Sequence, residues 1–163
     1  MTETNKGTTL VVPGFRLCKE IKLSNVARTA AVSRMNEAEN LIPANYNNLE
    51  FDFQAAWREA RLNAITVGAE IKRAHQNIDE IKADIILDEI PKLMVDLPKS
   101  ANNADFRKAV FSRNEDYTKS VEHLNMLETM LLHYESHMKS MEKISSSLKK
   151  QMDYIIRNGS YGG

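Results

Sequence analysis

From Phe53 onward, apolar residues recur at positions 53, 57, 60, 64, 67, 71, 74, 78, 81 and 85, in steps of four and three without a miss. That is the a/d spacing of a coiled-coil seam, and it predicts one long amphipathic helix. Pro91 disfavours helical geometry in the residue before it, so the helix is expected to end near Ile90. The same spacing returns at 117, 120, 124, 127, 131, 134, 138, 141, 145, 148, 152 and 155, with Ser120 and Ser145 as the polar members. Gly159 then stops the second helix. Each helix has one apolar stripe and neither is stable alone in water, so the two fold back on each other. The fold class that follows is mainly α: a long antiparallel helical hairpin, coiled-coil-like, with a small N-terminal arm or short β-hairpin plus a short helix.

The flanking segments read less sharply. Leu10, Val11 and Val12 precede Pro13 and Gly14, a pair suited to a turn, and Phe15 to Leu23 alternates loosely, so a short β-hairpin is one reading of this stretch. Ser24 or Asn25 can cap a helix running through Glu39. Ile42 to Asn48 is rich in turn formers and reads as a linker. Asn102 and Asn103 mark a capped restart before Phe106, with Asp105 in the first turn where the helix dipole favours it. Asn114, Glu115 and Asp116 form a kink or a second cap. These boundaries divide the chain into a basic N-terminal arm with a short helix (1–48), the hairpin (49–159) and a tail (160–163). The second helix, at roughly 1.5 Å per residue, is expected to outrun the first and to carry homo-oligomerisation through Leu148, Met152 and Ile155.

Composition narrows the classes. The formal charge is zero, but residues 1–34 carry six basic and two acidic side chains, and residues 35–90 carry five and eleven. Any contact with nucleic acid therefore has to come from local asymmetry rather than overall field. Cys18 is the one cysteine, which excludes an intrachain disulfide framework. Met1 to Gly7 is polar, without the apolar stretch of a signal peptide. No run approaches the ~20 apolar residues of a membrane span, so a cytoplasmic protein without membrane contact is expected.

The search for chemistry is largely negative. His133 and His137 have the i, i+4 spacing that lets two imidazoles share a metal, but no cysteine or further histidine accompanies them locally. They read more simply as polar residues flanking the seam. Asp79, Glu80, Asp84, Asp88 and Glu89 read as a solvated acidic face, because the Glu-x-x-His pairs of a di-metal bundle are missing. Met126, Met130, Met138, Met141 and Met152 suit adaptable packing in the core. Phosphate-binding glycine loops and nucleophile elbows are absent, and the expectation is a non-enzymatic protein without a cofactor. Arg16, Lys19, Lys22, Arg28 and Arg34, with Phe15 beside them, form the candidate nucleic-acid contact, since phosphate binding needs clustered cations and an aromatic can stack a base.

The stretch LPKSANNADFRKAVFSRNEDY from Leu97 to Tyr117, the heptad helix after it and the ending KKQMDYIIRNG from Lys149 to Gly159 resemble small helical proteins of tailed bacteriophages. The layout is similar to the UvsY-type recombination mediators. The resemblance implies an oligomeric, non-enzymatic protein in the host cytoplasm that binds single-stranded DNA and a recombinase partner. The chain departs from that family where Asp84 to Pro91 is acidic, so DNA contact by this segment is not expected and falls to the N-terminal arm. The alternative from another class is a structural or interaction protein: a virion component, a scaffold or a host-factor binder.

Overall fold

The computed structural model describes residues 9–13 and 20–159. Two strands, β1 (Thr9–Pro13) and β2 (Glu20–Ser24), pair antiparallel with Leu10 opposite Leu23 and Val11 opposite Lys22. Alternation along β2 buries Ile21 and Leu23 and leaves Glu20 and Lys22 exposed. The helix expected to run through Glu39 is instead two pieces, α1 (Val26–Ser33) and α2 (Met35–Glu39), broken at Arg34. Arg34 is held from both sides, by Glu37 of α2 and by Asp52 beyond it, which fixes the turn between the two pieces.

The first long helix, α3, spans Pro43–Asp84 and so begins well before Phe53. The segment that reads as a linker is its first turns. Proline is favoured at the opening of a helix because its ring presets φ and its missing N–H would be unsatisfied there anyway. Asn45 Oδ1 accepts the Ile42 N–H at 2.9 Å, one half of a capping box. At the other end the helix passes through Pro91 rather than stopping at Ile90. Ile85–Glu89 forms a π turn, with the Ile90 N–H bonded to the Ile85 carbonyl, and α4 (Ile90–Leu93) follows. The wider turn accommodates a proline ring that would clash with the carbonyl four residues back in regular α geometry.

A 3-10 turn (Lys99–Ala101) leads to α5 (Ala104–Arg113), where Asn103 Oδ1 accepts the Phe106 N–H at 2.9 Å as the cap. Asn114 ends α5 in extended geometry and caps α6 (Glu115–Gly159) by accepting the Tyr117 N–H at 2.9 Å. Of the two readings of this point, the structure has the second cap. Asn114 also donates to Glu89 Oε1 at 2.8 Å, tying the start of α6 to the π turn.

Three apolar clusters run along the molecule. In the middle, Ile21 and Leu23 of β2 meet Val67, Ala74 and Ile78 of α3 and Leu124, Leu127 and Tyr134 of α6. Near the N-terminal layer, Ala31, Leu49, Phe53 and Ala56 pack with Met141 and Leu148. At the turn of the hairpin, Ile85, Ile90 and Val110 form the third. The α6 seam is buried as its spacing predicts. The α3 seam holds at Phe53, Ala60, Val67, Ala74, Ile78 and Ile85 but is rotated at intervening positions, where Ala56, Asn63 and Glu70 are buried and Trp57, Ala64 and Ile71 half-buried. The reason is that α3 is covered on two sides, by α6 and by the β2–α1 layer.

The helices are similar in reach, 42 residues for α3 and 45 for α6, or roughly 63 and 68 Å at 1.5 Å per residue. The expected overhang of α6 is therefore largely taken up. The early start of α3 and the docking of α1 cover the segment around Leu148, which is 2% exposed. No helix among the described residues is long and apolar enough to cross a membrane.

Candidate functional site

The N-terminal layer is fastened to α3 by polar contacts. Asn25, at the N-cap position of α1, makes no side-chain cap bond. The free N–H groups of α1 are taken up from another helix: Glu59 Oε1 accepts the Ala27 N–H at 3.1 Å and Oε2 the Arg28 N–H at 2.9 Å. Ser24 Oγ donates to the same carboxylate at 2.6 Å, and Asn63 Nδ2 donates to the Ser24 carbonyl at 2.6 Å. The anion-binding end of α1 is thus filled by the protein's own carboxylate.

Of the five cations proposed from sequence, the three that are described stand in different settings. Arg16 and Lys19 lie outside the described residues. Lys22 is exposed on β2, and Arg28 is half-buried on α1. Arg34 is committed to carboxylates: its Nη1 meets Asp52 Oδ2 at 2.5 Å, and Nη2 and Nε meet the two oxygens of Glu37 at 2.7 and 3.1 Å. Hydrogen bonds to Glu37 and Asp52 raise the Arg34 pKa, and the bond from Arg34 lowers that of Glu37. A bidentate pair of this kind leaves little of the guanidinium to offer a phosphate.

A better-ordered cationic array stands on α6. Lys139, Lys143, Lys150 and Arg157 are all exposed, and their spacing of four, seven and seven sets them within about 40° of one line over roughly 27 Å of helix. Buried Met141 and Leu148 lie on the opposite face. Lys149 is exposed beside this stripe, and Tyr154, 69% exposed, is at its C-terminal part. Two acids flank it, Asp153 and Glu142, the latter accepting the Trp57 indole N–H. The sequence signal for the stripe is the spacing of these cations along the heptads, and Lys139, Lys143, Lys149 and Lys150 are the sequence's second candidate contact after the N-terminal arm.

Of the proposed oligomerisation residues, Leu148 is occupied within a single chain, while Met152 and Ile155 are half-buried. Among the described residues no cluster of three or more metal-ligating side chains occurs, although the rings of His133 and His137 lie 4.1 Å apart. These two rings line a cleft of about 350 Å³ between the N-terminal layer and the hairpin, together with Arg28, Glu59, Asn63 and Tyr134. Burial, the Arg28 charge and His133 push the His137 pKa down to about 4, so its imidazole is neutral at pH 7. Burial raises the Tyr134 phenol, with Glu59 adding to it and Arg28 opposing. Compared with protein-family models, curated proteins and solved structures, the chain gives no match.

Proposed function

We propose that the protein is a non-catalytic accessory factor of phage-type DNA recombination or repair that binds single-stranded DNA along the outer face of α6 and presents it to a protein partner such as a recombinase. The observation that carries this reading is the line of Lys139, Lys143, Lys150 and Arg157 with exposed Tyr154 beside it. A row of cations tracks a sugar–phosphate backbone without a sequence motif, and an exposed ring offers a platform for an unstacked base. The likeness of the chain to UvsY-type mediators supplies the biological setting. Self-association, part of the same reading, narrows to Met152 and Ile155.

Binding of labelled oligo(dT), followed by fluorescence anisotropy over a range of salt, tests it. Replacing Lys139, Lys143 and Lys150 with alanine is expected to flatten the log–log salt slope by roughly two units, since each phosphate contact on a single strand contributes about 0.7. The three side chains are exposed, so helicity is expected to stay unchanged. No binding to oligo(dT) at low salt overturns the proposal.

A second reading rests on a different surface. Around the turn of the hairpin, Ile86, Leu87, Leu93, Val95 and Leu97 are between 41 and 78% exposed. Concentration of aliphatic side chains in one exposed place marks protein interfaces. In this reading the chain is a scaffold or host-factor binder that docks by its tip. Loss of partner capture on changing Leu87 and Val95 to serine, with oligo(dT) binding absent, would favour it.

A further inference from the structure

We propose that the cleft between α1, α3 and α6 is a binding site for a small organic monoanion, a carboxylate or sulfonate on a compact apolar body, with Arg28 as its counter-charge. Arg28 is half-buried at the cleft, and its guanidinium makes no ion pair or hydrogen bond among the described residues. Six residues further on, Arg34 binds two carboxylates. A partly desolvated cation is stabilised by an anionic partner, and the described residues supply the Arg28 guanidinium with none. Glu59, the nearest carboxylate, is engaged by the Ser24 hydroxyl and by the N–H groups of Ala27 and Arg28. Glu59 shares the wall of the cleft, with both of its oxygens engaged by donors at the end of α1.

The remaining walls define the rest of the ligand. Leu23, Ala56, Ala60, Met130 and Met141 give an apolar floor, and the thioethers adapt to irregular shapes. At about 350 Å³ the cleft is at the small end of ligand sites. Charge sets the valence. His133 and His137 stand beside Arg28; with His137 neutral at pH 7, the permanent positive charge at that wall is the Arg28 guanidinium. Burial is the main cause of the lowered His137 pKa, and the nearby Arg28 charge adds to it. One charge in an apolar setting matches a monoanion with a hydrocarbon body. Inorganic phosphate, with two charges and no body, fits neither feature.

Calorimetric titration with hexane-1-sulfonate, hexanoate and hexan-1-ol tests the assignment on the full chain. Both anions are expected to bind, and the alcohol at least about tenfold more weakly, as removal of a charged hydrogen-bond partner predicts. Arg28→Gln is expected to weaken the anions by the same factor with no change for the alcohol. Met130→Trp, which fills the floor, is expected to weaken all three. In the unaltered protein, saturating hexane-1-sulfonate is expected to raise the His137 pKa followed by NMR, because a bound anion favours the imidazolium. The proposal is overturned if the alcohol binds as tightly as the anions, if Arg28→Gln leaves anion affinity unchanged, or if His137 does not move. The absence of anion binding at millimolar concentration overturns it equally. None of these readouts depends on DNA.

Discussion

Replacing Glu59 with alanine removes the acceptor that three donors share, and the consequence can be worked out from the contacts. Ala27 and Arg28 would each be left with a partly buried N–H at the open end of α1, and Ser24 with a hydroxyl that can rotate toward water. Loss of a helix cap costs about 1 kcal/mol, and each buried donor left unsatisfied costs about 1–3 kcal/mol before water relieves it. Because these groups are only part-buried, a total of about 2–3 kcal/mol is expected for Glu59→Ala, and about 1 kcal/mol for Glu59→Gln, which keeps an acceptor oxygen but loses the charge facing the helix dipole. Urea denaturation followed by circular dichroism reads this directly. With a slope of about 2 kcal/mol per molar, the alanine variant is expected to lose about 1 M in midpoint at unchanged slope. Amide exchange should accelerate first in residues 26–33, the element that Glu59 holds. A midpoint within about 0.2 M of the parent, with unaltered protection across α1, would refute the cross-helix cap.

Three other outcomes are expected. Leu127, which is fully buried, should cost about 2–5 kcal/mol on change to alanine, whereas half-buried Ile71 should cost less; equal urea midpoints for the two variants would contradict the rotated seam. Asn114→Ala removes both the cap of α6 and the bond to Glu89, a loss of about 1–2 kcal/mol that thermal melting should detect. His137 has a folded pKa of about 4 against an ordinary 6.5, so the unfolded chain binds the extra proton. Its contribution is complete above pH 6.5 and is lost as pH falls toward 4. A His137→Gln variant should show a shallower decline in melting temperature between pH 7 and 5 than the parent, and an identical decline would argue against burial of a neutral ring.

The heptads carried the architecture because the period of apolar residues states which face of a helix is buried, and this needs no knowledge of the rest of the chain. The α6 seam, from Ser120 to Leu148, shows how far that goes. The α3 seam shows where it stops. Phe53, Ala60, Val67, Ala74 and Ile78 are buried as the spacing has them, yet between them Ala56, Asn63 and Glu70 are buried in place of Trp57, Ala64 and Ile71, because the β2–α1 layer covers a second side of the helix. Pro43 and the asparagines after it were misleading for a local reason: residues that make turns also make the first turns of helices. Links such as Glu59 to α1 or Arg34 to Asp52 join positions 18 or more residues apart, and no spacing rule reveals them. The α6 stripe was legible in principle, since its four cations follow the solvent side of the same heptads. The cleft was not, because it joins side chains from three elements whose docking is set by those distant contacts.

Asn77 and Ser120 meet across the hairpin, amide to hydroxyl, at 3.0 Å within a largely apolar seam. Heptad seams made of aliphatic residues alone are nearly degenerate: a shift of one helix by seven residues presents a similar surface, and such pairs can act as sliders that pass a signal along their length. Here that shift would set Ser120 against a different residue of α3 and strand the Asn77 amide, while buried Glu70 would have to find a new environment too. Trp57 adds a second mark further along, donating its indole N–H to Glu142 Oε1 at 2.8 Å, so the register of the two helices is fixed at two places. They behave as a fixed gauge of constant length, and the distance from the turn of the hairpin to the cationic face of α6 is set by covalent numbering rather than by sliding.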